Sequence, residues 1–185
     1  MKPHPHSPNW TRWLGHLTGK PARGLEIGTW KGESAEWMLD NVFTHTDSAY
    51  TCIDHFRGSV EHHIGGHDCS ALERDARARL ARFGERVEFL VGTADQMLRL
   101  VTPGLDFGYV DGDHSARGVL HDAVHVFDLL KVGGVIVFDD YAWKVMPEEV
   151  DRPRIAVDAF ARCYAPHVEE LGGGGWQKAF RKIAP

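Results

Sequence analysis

Two rhythms of apolar and polar positions alternate along the chain. Short, nearly continuous apolar runs occupy residues 24–28, 49–53, 86–91, 105–110, 135–138, 168–171 and 177–183. Between them, apolar residues recur every three or four positions, the spacing of a helix with one buried face. Ala35, Met38, Leu39 and Val42 predict a helix over 34–42, residues 74–83 are strongly helical, and Val119, Leu120, Ala123, Val124, Phe127 and Leu130 form a third such face. A further helix is predicted over 155–163. Lys131-Val132-Gly133-Gly134 predicts that the third helix ends in a left-handed glycine cap. Val135-Ile136-Val137-Phe138 is apolar without interruption, as a central parallel strand covered on both faces must be. Strands alternating with helices predict an α/β fold with a doubly wound, mostly parallel seven-stranded sheet. The Gly172–175 run reads as the turn of an antiparallel pair that supplies the antiparallel last strand.

Ahead of this pattern, Trp10, Trp13, Leu14 and Leu17 fall at helical spacing behind a cap at Ser7 or Asn9. Residues 1–22 therefore read as an amino-terminal extension with one short amphipathic helix, and 23–185 as one domain. The length of 185 residues supports a single core. With 43% hydrophobic and 25% charged residues, the composition is that of a globular chain.

Charge and cysteine content narrow the function classes. Lys and Arg number 21 against 26 Asp and Glu, for a formal net charge of −5, which argues against non-specific binding to nucleic acid or anionic membrane. Three scattered cysteines make no disulfide framework, so a cytoplasmic location is expected. No apolar core follows Lys2, so the start does not read as a secretory leader, and no 18-residue apolar run predicts a membrane span. Twelve histidines raise the question of a metal.

The first strand runs into Glu26-Ile27-Gly28-Thr29-Trp30-Lys31-Gly32-Glu33-Ser34. Gly28 permits a tight turn and close approach of a ligand, and Gly32 stands where the next helix begins, whose amino-terminus can receive an anionic group. Asp54, at the end of the second strand, can accept hydrogen bonds from both hydroxyls of a ribose. Thr29-Trp30-Lys31 fills the space that a dinucleotide fingerprint leaves open, which favours a nucleoside without phosphates over NAD.

The fourth strand ends in Tyr109-Val110-Asp111-Gly112-Asp113-His114-Ser115 and the fifth in Val137-Phe138-Asp139-Asp140-Tyr141. Residues just past the carboxyl ends of neighbouring parallel strands share one crevice. Asp111, Asp139 and Asp140 would meet there, and three close carboxylates require a proton or a cation among them. Oxygen ligands suit Mg2+ or another hard divalent cation. The competing reading has one aspartate capping the helix that starts near Ser115, with the others solvated.

These motifs, in this order, resemble the class I S-adenosylmethionine-dependent methyltransferases, and most of all the metal-dependent small-molecule O-methyltransferases of the catechol and of the sugar- and macrolide-tailoring types. The likeness runs from Arg23 to about Ile183. It implies a Rossmann-like methyltransferase fold and an enzyme that methylates a hydroxyl of a small-molecule acceptor, a sugar, a polyol or a phenol. It implies that Glu26, Gly28 and Ser34 hold the methionine part of the cofactor, Asp54 the ribose, and Thr93, Ala94 and Asp95 the adenine. Thr29, His55 and Asp111 are expected among the cofactor contacts, and Asp111, Asp139 and Asp140 match the metal positions. The catechol type has Asn and Lys where this chain has Asp140 and His114, and the sugar-tailoring type carries amino-terminal helices that this chain largely lacks. Either Asp113 or His114 takes the proton from the acceptor. Partners other than the acceptor are not implied, and assembly into a homo-oligomer stays open. Two other readings compete: a methyltransferase that works without metal, and a non-catalytic nucleoside-binding module.

The remaining histidines carry less. His121-Asp122-Ala123-Val124-His125 imitates a zinc-hydrolase motif but lacks its Glu and a third ligand. His55, His62, His63, His67 and Cys69 crowd the segment after the second strand without a standard metal spacing; with Gly58, Gly65 and Gly66 they read as a loop over the cofactor or substrate. The same resemblance extends to Asp54, Gly58, Glu61 and His62. Tyr141 and Trp143 are candidates for the wall of the acceptor pocket or for simple packing.

Overall fold

The computed structural model describes residues 4–59, 65–172 and 175–185. Glu61, His62 and His63, together with part of the glycine run after Leu171, lie outside the described residues.

The chain order is α1 (Ser7–Leu14), β1 (Arg23–Ile27), α2 (Glu33–Asn41), β2 (Ala49–Asp54), α3 (Leu72–Leu80), β3 (Val87–Val91), α4 (Ala94–Met97), β4 (Leu105–Val110), α5 (Ala116–Leu129), β5 (Leu130–Phe138), α6 (Pro153–Cys163), β6 (Val168–Glu170) and β7 (Lys178–Lys182). The seven strands form one sheet in the order β3-β2-β1-β4-β5-β7-β6. The first five run parallel, and β7 pairs antiparallel with both β5 and β6. This is the doubly wound sheet expected, with the order in which strands are added reversing between β1 and β4. Among the described residues no helix is long and apolar enough to cross a membrane.

Alternation along the central strands builds two cores. Phe107, Tyr109, Val135 and Val137 face the layer of α1 and α2, while Val110, Ile136 and Phe138 face α5 and α6. All six residues of β4 are buried, Asp106 among them, which is why its sequence reads as a nearly continuous apolar run. The α1 helix is part of the first core: Trp10 and Leu14 are fully buried, and Trp10 packs 5.2 Å from Trp37 and 5.7 Å from Tyr109, ring centre to ring centre.

One expectation about the chain path is corrected. Helix α5 ends at Leu129, before the glycines, and its last carbonyls are taken up by the buried Lys182, whose Nζ donates to Phe127 O at 2.9 Å and Leu130 O at 3.0 Å. Gly133, at φ +91°, lies instead within β5, between the pairing of Leu130 with Leu105 and that of Val135 with Phe107. A side chain from β7, the neighbour of β5, does the capping, so the glycine serves an irregularity in the strand. The short α4 is too brief to carry a helical period in the sequence.

Candidate active site

Each parallel strand ends against the next. Gly28 N donates to Ile53 O at 2.9 Å, Asp111 N to Ile27 O at 3.0 Å and Asp139 N to Val110 O at 3.0 Å, so the first residues past β1, β4 and β5 stand side by side at one edge. Gly28 has φ +90°, and a Cβ there would collide with the carbonyl oxygen of Asp111. Gly112 answers it: a Cβ there would stand 2.7 Å from Cγ2 of Ile27. The two turns approach at backbone distance.

Asp54 locks the turns after β1 and β2 together. Its Oδ2 accepts the Trp30 N–H at 2.7 Å and its Oδ1 the Phe56 N–H at 2.6 Å. Trp30 and Phe56 have φ of 48° and 54°, and Asp140 after β5 also has φ 54°. Among the described residues, these three side-chain-bearing positions in the left-handed region all lie at the carboxyl edge of the sheet, where strain of this kind accompanies function.

Glu26 is fully buried. Ser34 Oγ donates to its Oε2 at 2.8 Å and Tyr50 OH at 3.3 Å, while its Oε1 has no partner among the described residues. Burial pushes the carboxyl up to about 7, against the opposing pull of the Ser34 hydroxyl. A buried carboxylate with an unused oxygen beside the Gly28 turn suits the ammonium end of an amino-acid ligand.

A cavity of about 1030 Å3 runs along this edge. It is bounded by Gly28 and Trp30, by Asp54 and His55, by Thr93, Ala94 and Asp95, and by the segment from Asp111 to Gly118. His55 folds back locally, its Nδ1 accepting the Arg57 N–H at 3.0 Å. Asp95 is held by Arg99 at 3.0 Å and faces His121 Nε2 at 3.4 Å. Of the expected cofactor residues, Gly28, Asp54, His55, Thr93, Ala94, Asp95 and Asp111 line this cavity, while Glu26, Thr29 and Ser34 do not.

At one end of the cavity His114 Nε2 lies 3.1 Å from Asp140 Oδ2 and 3.8 Å from Asp111 Oδ1. These three side chains offer ligand atoms all within 4.8 Å of one another. Burial pushes the Asp111 carboxyl well above the usual range; the bond from His114 opposes this, and the neighbouring Asp139 and Asp140 add to it. The Trp143 ring lies 5.0 Å from the His114 ring.

Asp139 is adjacent in sequence but turned elsewhere. Its Oδ2 accepts from Tyr109 OH and from Gln177 Nε2 (3.1 Å), its Oδ1 accepts the Asp140 N–H at 2.8 Å, and His6 Nε2 stands 3.6 Å away. Asp113 is exposed at the rim of the cavity, its Oδ1 accepting the Ser115 N–H at 2.8 Å at the start of α5. The capping role weighed for one aspartate thus falls to Asp113 and Ser115, whose Oγ accepts the Gly118 N–H. The structure brings Asp111, His114 and Asp140 together and turns Asp139 toward Tyr109 and Gln177. Tyr141 packs against the second core and donates to Asp158 at 3.0 Å, leaving Trp143 as the aromatic group beside the cluster. The His121 and His125 rings lie against one another at a tilt of 37°, ring centres 4.3 Å apart.

Sequence reasoning missed Tyr109, Tyr50, Gln177 and His6. The two tyrosines read as apolar strand residues, and only their hydroxyls signalled more. Nothing in sequence links Gln177 or His6 to Asp139, because β7 and α1 reach it only through the fold.

A family described as "Methyltransferase domain" matches residues 25–141. The chain belongs to that family. The match covers the Gly28 turn, Asp54, the Asp111 segment and the Asp139-Asp140 pair, and bears out both the resemblance to the class I methyltransferases and the Rossmann-like methyltransferase fold. An uncharacterised protein of Acanthamoeba polyphaga mimivirus, R132, is 27% identical over 161 residues, covering 80% of this chain and 66% of that protein. The caffeoyl-CoA O-methyltransferase of Populus kitakamiensis is 26% identical over 141 residues, covering 71% and 54% respectively. The chain therefore spans less than two-thirds of the length of either curated relative. The O-methyltransferase TomG of Streptomyces achromogenes, involved in tomaymycin synthesis and solved in complex with SAM, superposes with a TM-score of 0.67 at 20% identity, over 96% of this chain and 81% of TomG.

Proposed function

We propose that this chain is an S-adenosylmethionine-dependent O-methyltransferase that acts on a hydroxyl of a small molecule, assisted by a divalent cation such as Mg2+. The observation that carries this reading is one cavity that runs from the Gly28 and Asp54 turns to the Asp111, His114 and Asp140 cluster. The names of the poplar relative and of TomG support the oxygen acceptor.

The donor's sulfonium supplies the methyl group. Asp54 accepts from the ribose hydroxyls, its orientation fixed by two backbone N–H groups. Glu26, held by Ser34 and with an oxygen that has no partner among the described residues, draws the ammonium of the methionine end from behind the Gly28 turn, and Thr93 to Asp95 flank the purine. Two carboxylates and one imidazole within 4.8 Å fit a divalent cation, which Asp111 and Asp140 would hold, with His114 in the place foreseen for Asp139. A cation bound there would lower the pKa of a coordinated hydroxyl and fix its orientation. Asp113, exposed at the rim, is then the carboxylate left to accept the proton. Trp143, against His114, walls the acceptor.

The test is calorimetry with S-adenosylmethionine with and without Mg2+, followed by methyl transfer to catechols and to sugars with neighbouring hydroxyls. Binding of the donor and Mg2+-dependent methylation of such a two-oxygen acceptor are expected. Absence of donor binding overturns the reading. One observation favours a second reading: His114 lies between the two carboxylates as a general base does. Full turnover in excess EDTA selects this cation-free mechanism.

A further inference from the structure

We infer that His6, carried by the amino-terminal segment, is a positioning residue for the Asp111, His114 and Asp140 cluster and acts on it through Asp139; this rests on the cation reading above. Asp140 holds a left-handed backbone at φ 54°, a conformation that costs energy and needs external support. The support is visible in its N–H, which donates to Asp139 Oδ1 at 2.8 Å. The Asp139 carboxylate thereby fixes the peptide from which the Asp140 side chain projects to within 3.1 Å of His114.

Asp139 can do this only if its other oxygen is held. Tyr109 OH and Gln177 Nε2 both donate to Oδ2, and Gln177 Nε2 also reaches Tyr109 OH at 3.3 Å, so β4 and the segment before β7 grip the carboxylate from two sides. His6 closes the third side at 3.6 Å and is itself packed against Trp10, ring centres 5.9 Å apart. Trp10 is fully buried in the first core, so the position of His6 follows from the docking of α1. The residue that reaches the site from the extension is thus tied to the sheet by a buried tryptophan. The extension is part of the site rather than a separate appendage.

Asp139 is left 9% exposed, while His6 remains a quarter exposed and can be changed without opening the core. The experiment measures Mn2+ affinity by electron paramagnetic resonance and S-adenosylmethionine affinity by calorimetry in the intact protein, in His6→Ala and in His6→Gln. His6→Ala is expected to weaken Mn2+ binding about ten-fold, the lower end for loss of a group that orients a ligand, with donor affinity unchanged. His6→Gln keeps an N–H donor but not the ring and is expected to recover most of the loss. Equal loss in both variants shows that only the ring's packing mattered and overturns the inference. Wild-type Mn2+ affinity in His6→Ala overturns it as well. A wild-type protein that binds S-adenosylmethionine but not Mn2+ overturns the cation reading itself, a result separable from either of the others.

Discussion

The alpha carbon of Gly28 lies against the carbonyl oxygen of Asp111 so closely that no other residue fits there. Two demands coincide at one position: φ is +90°, and the space for a Cβ is occupied by the backbone of the β4 turn. Gly28→Ala is therefore expected to destabilise the protein by about 1–3 kcal/mol from backbone strain alone, and by more if the β4 turn is displaced. Because that turn carries Asp111, donor binding should fall with stability. Thermal unfolding and calorimetry with S-adenosylmethionine measure the two effects, and an unchanged melting temperature contradicts the argument.

Asp54 supports the same edge from β2. Removing its carboxylate leaves the Trp30 and Phe56 N–H groups without their acceptors, both in residues at positive φ. Hydrogen bonds to a charged group are worth about 1.5–3 kcal/mol each. Asp54→Ala should thus weaken donor binding by roughly 10- to 100-fold. Asp54→Asn, which keeps one carbonyl acceptor, should fall between. Equal affinity in wild type and Asp54→Ala, measured calorimetrically, removes Asp54 from the cofactor site.

The sheet and the crevice were legible because buried parallel strands write themselves as apolar runs and because turns at strand ends keep their glycines and aspartates. Gly28, Asp54, Asp111 and Asp140 were found this way, and the structure places all four at one edge. What sequence could not settle was which way adjacent carboxylates turn. Asp139 and Asp140 look alike in sequence, but the reversal of the backbone at Asp140 sends one toward Tyr109 and the other toward His114. That choice depends on Tyr109, Gln177 and His6, which lie 30, 38 and 133 residues away in the chain and meet Asp139 only after folding. The glycine pair at 133–134 misled because the capping group for α5 comes from β7.

The Glu26 carboxyl is raised from 4.5 to about 7 by burial, so the folded protein binds a proton there more tightly than the unfolded chain. The stability it confers is fully present below about pH 4.5 and declines as pH rises through about 7. A displacement of this size corresponds to roughly 3 kcal/mol across that window. Glu26→Gln, neutral at every pH, should remove this part of the slope and leave the variant more stable than wild type at about pH 8 in the absence of ligand. Denaturant unfolding of both proteins at a series of pH values reads the difference. Parallel curves would show that Glu26 titrates as it does in the unfolded chain.

Trp10 tests whether the amino-terminal extension is separable. Its ring is fully buried between Trp37 and Tyr109, and α1 shares the first core with β4 and β5. Trp10→Ala should cost about 3–5 kcal/mol, the range for removing a large aromatic from a core. A chain beginning at residue 23 should fold poorly for the same reason. Cooperative unfolding of such a truncated chain with undiminished stability would make residues 1–22 a true appendage.

Asp140 separates the two readings of the chemistry. If a cation lies between Asp111, His114 and Asp140, then Asp140→Asn loses a charged ligand whose oxygen stands 3.1 Å from His114 Nε2, and cation affinity and turnover should fall together. The loss expected is about 100-fold in kcat/KM, or roughly 2.7 kcal/mol of barrier. Donor affinity should stay within about two-fold, since Asp54 and Glu26 lie at the other turns. Excess EDTA should reproduce the loss in wild type, and added Mg2+ should reverse it. If instead His114 acts alone as base, EDTA leaves the rate untouched, while Asp140→Asn still slows it by freeing the imidazole from its partner. The comparison of EDTA with the variant, under single-turnover conditions, therefore distinguishes a cation from a carboxylate–histidine pair.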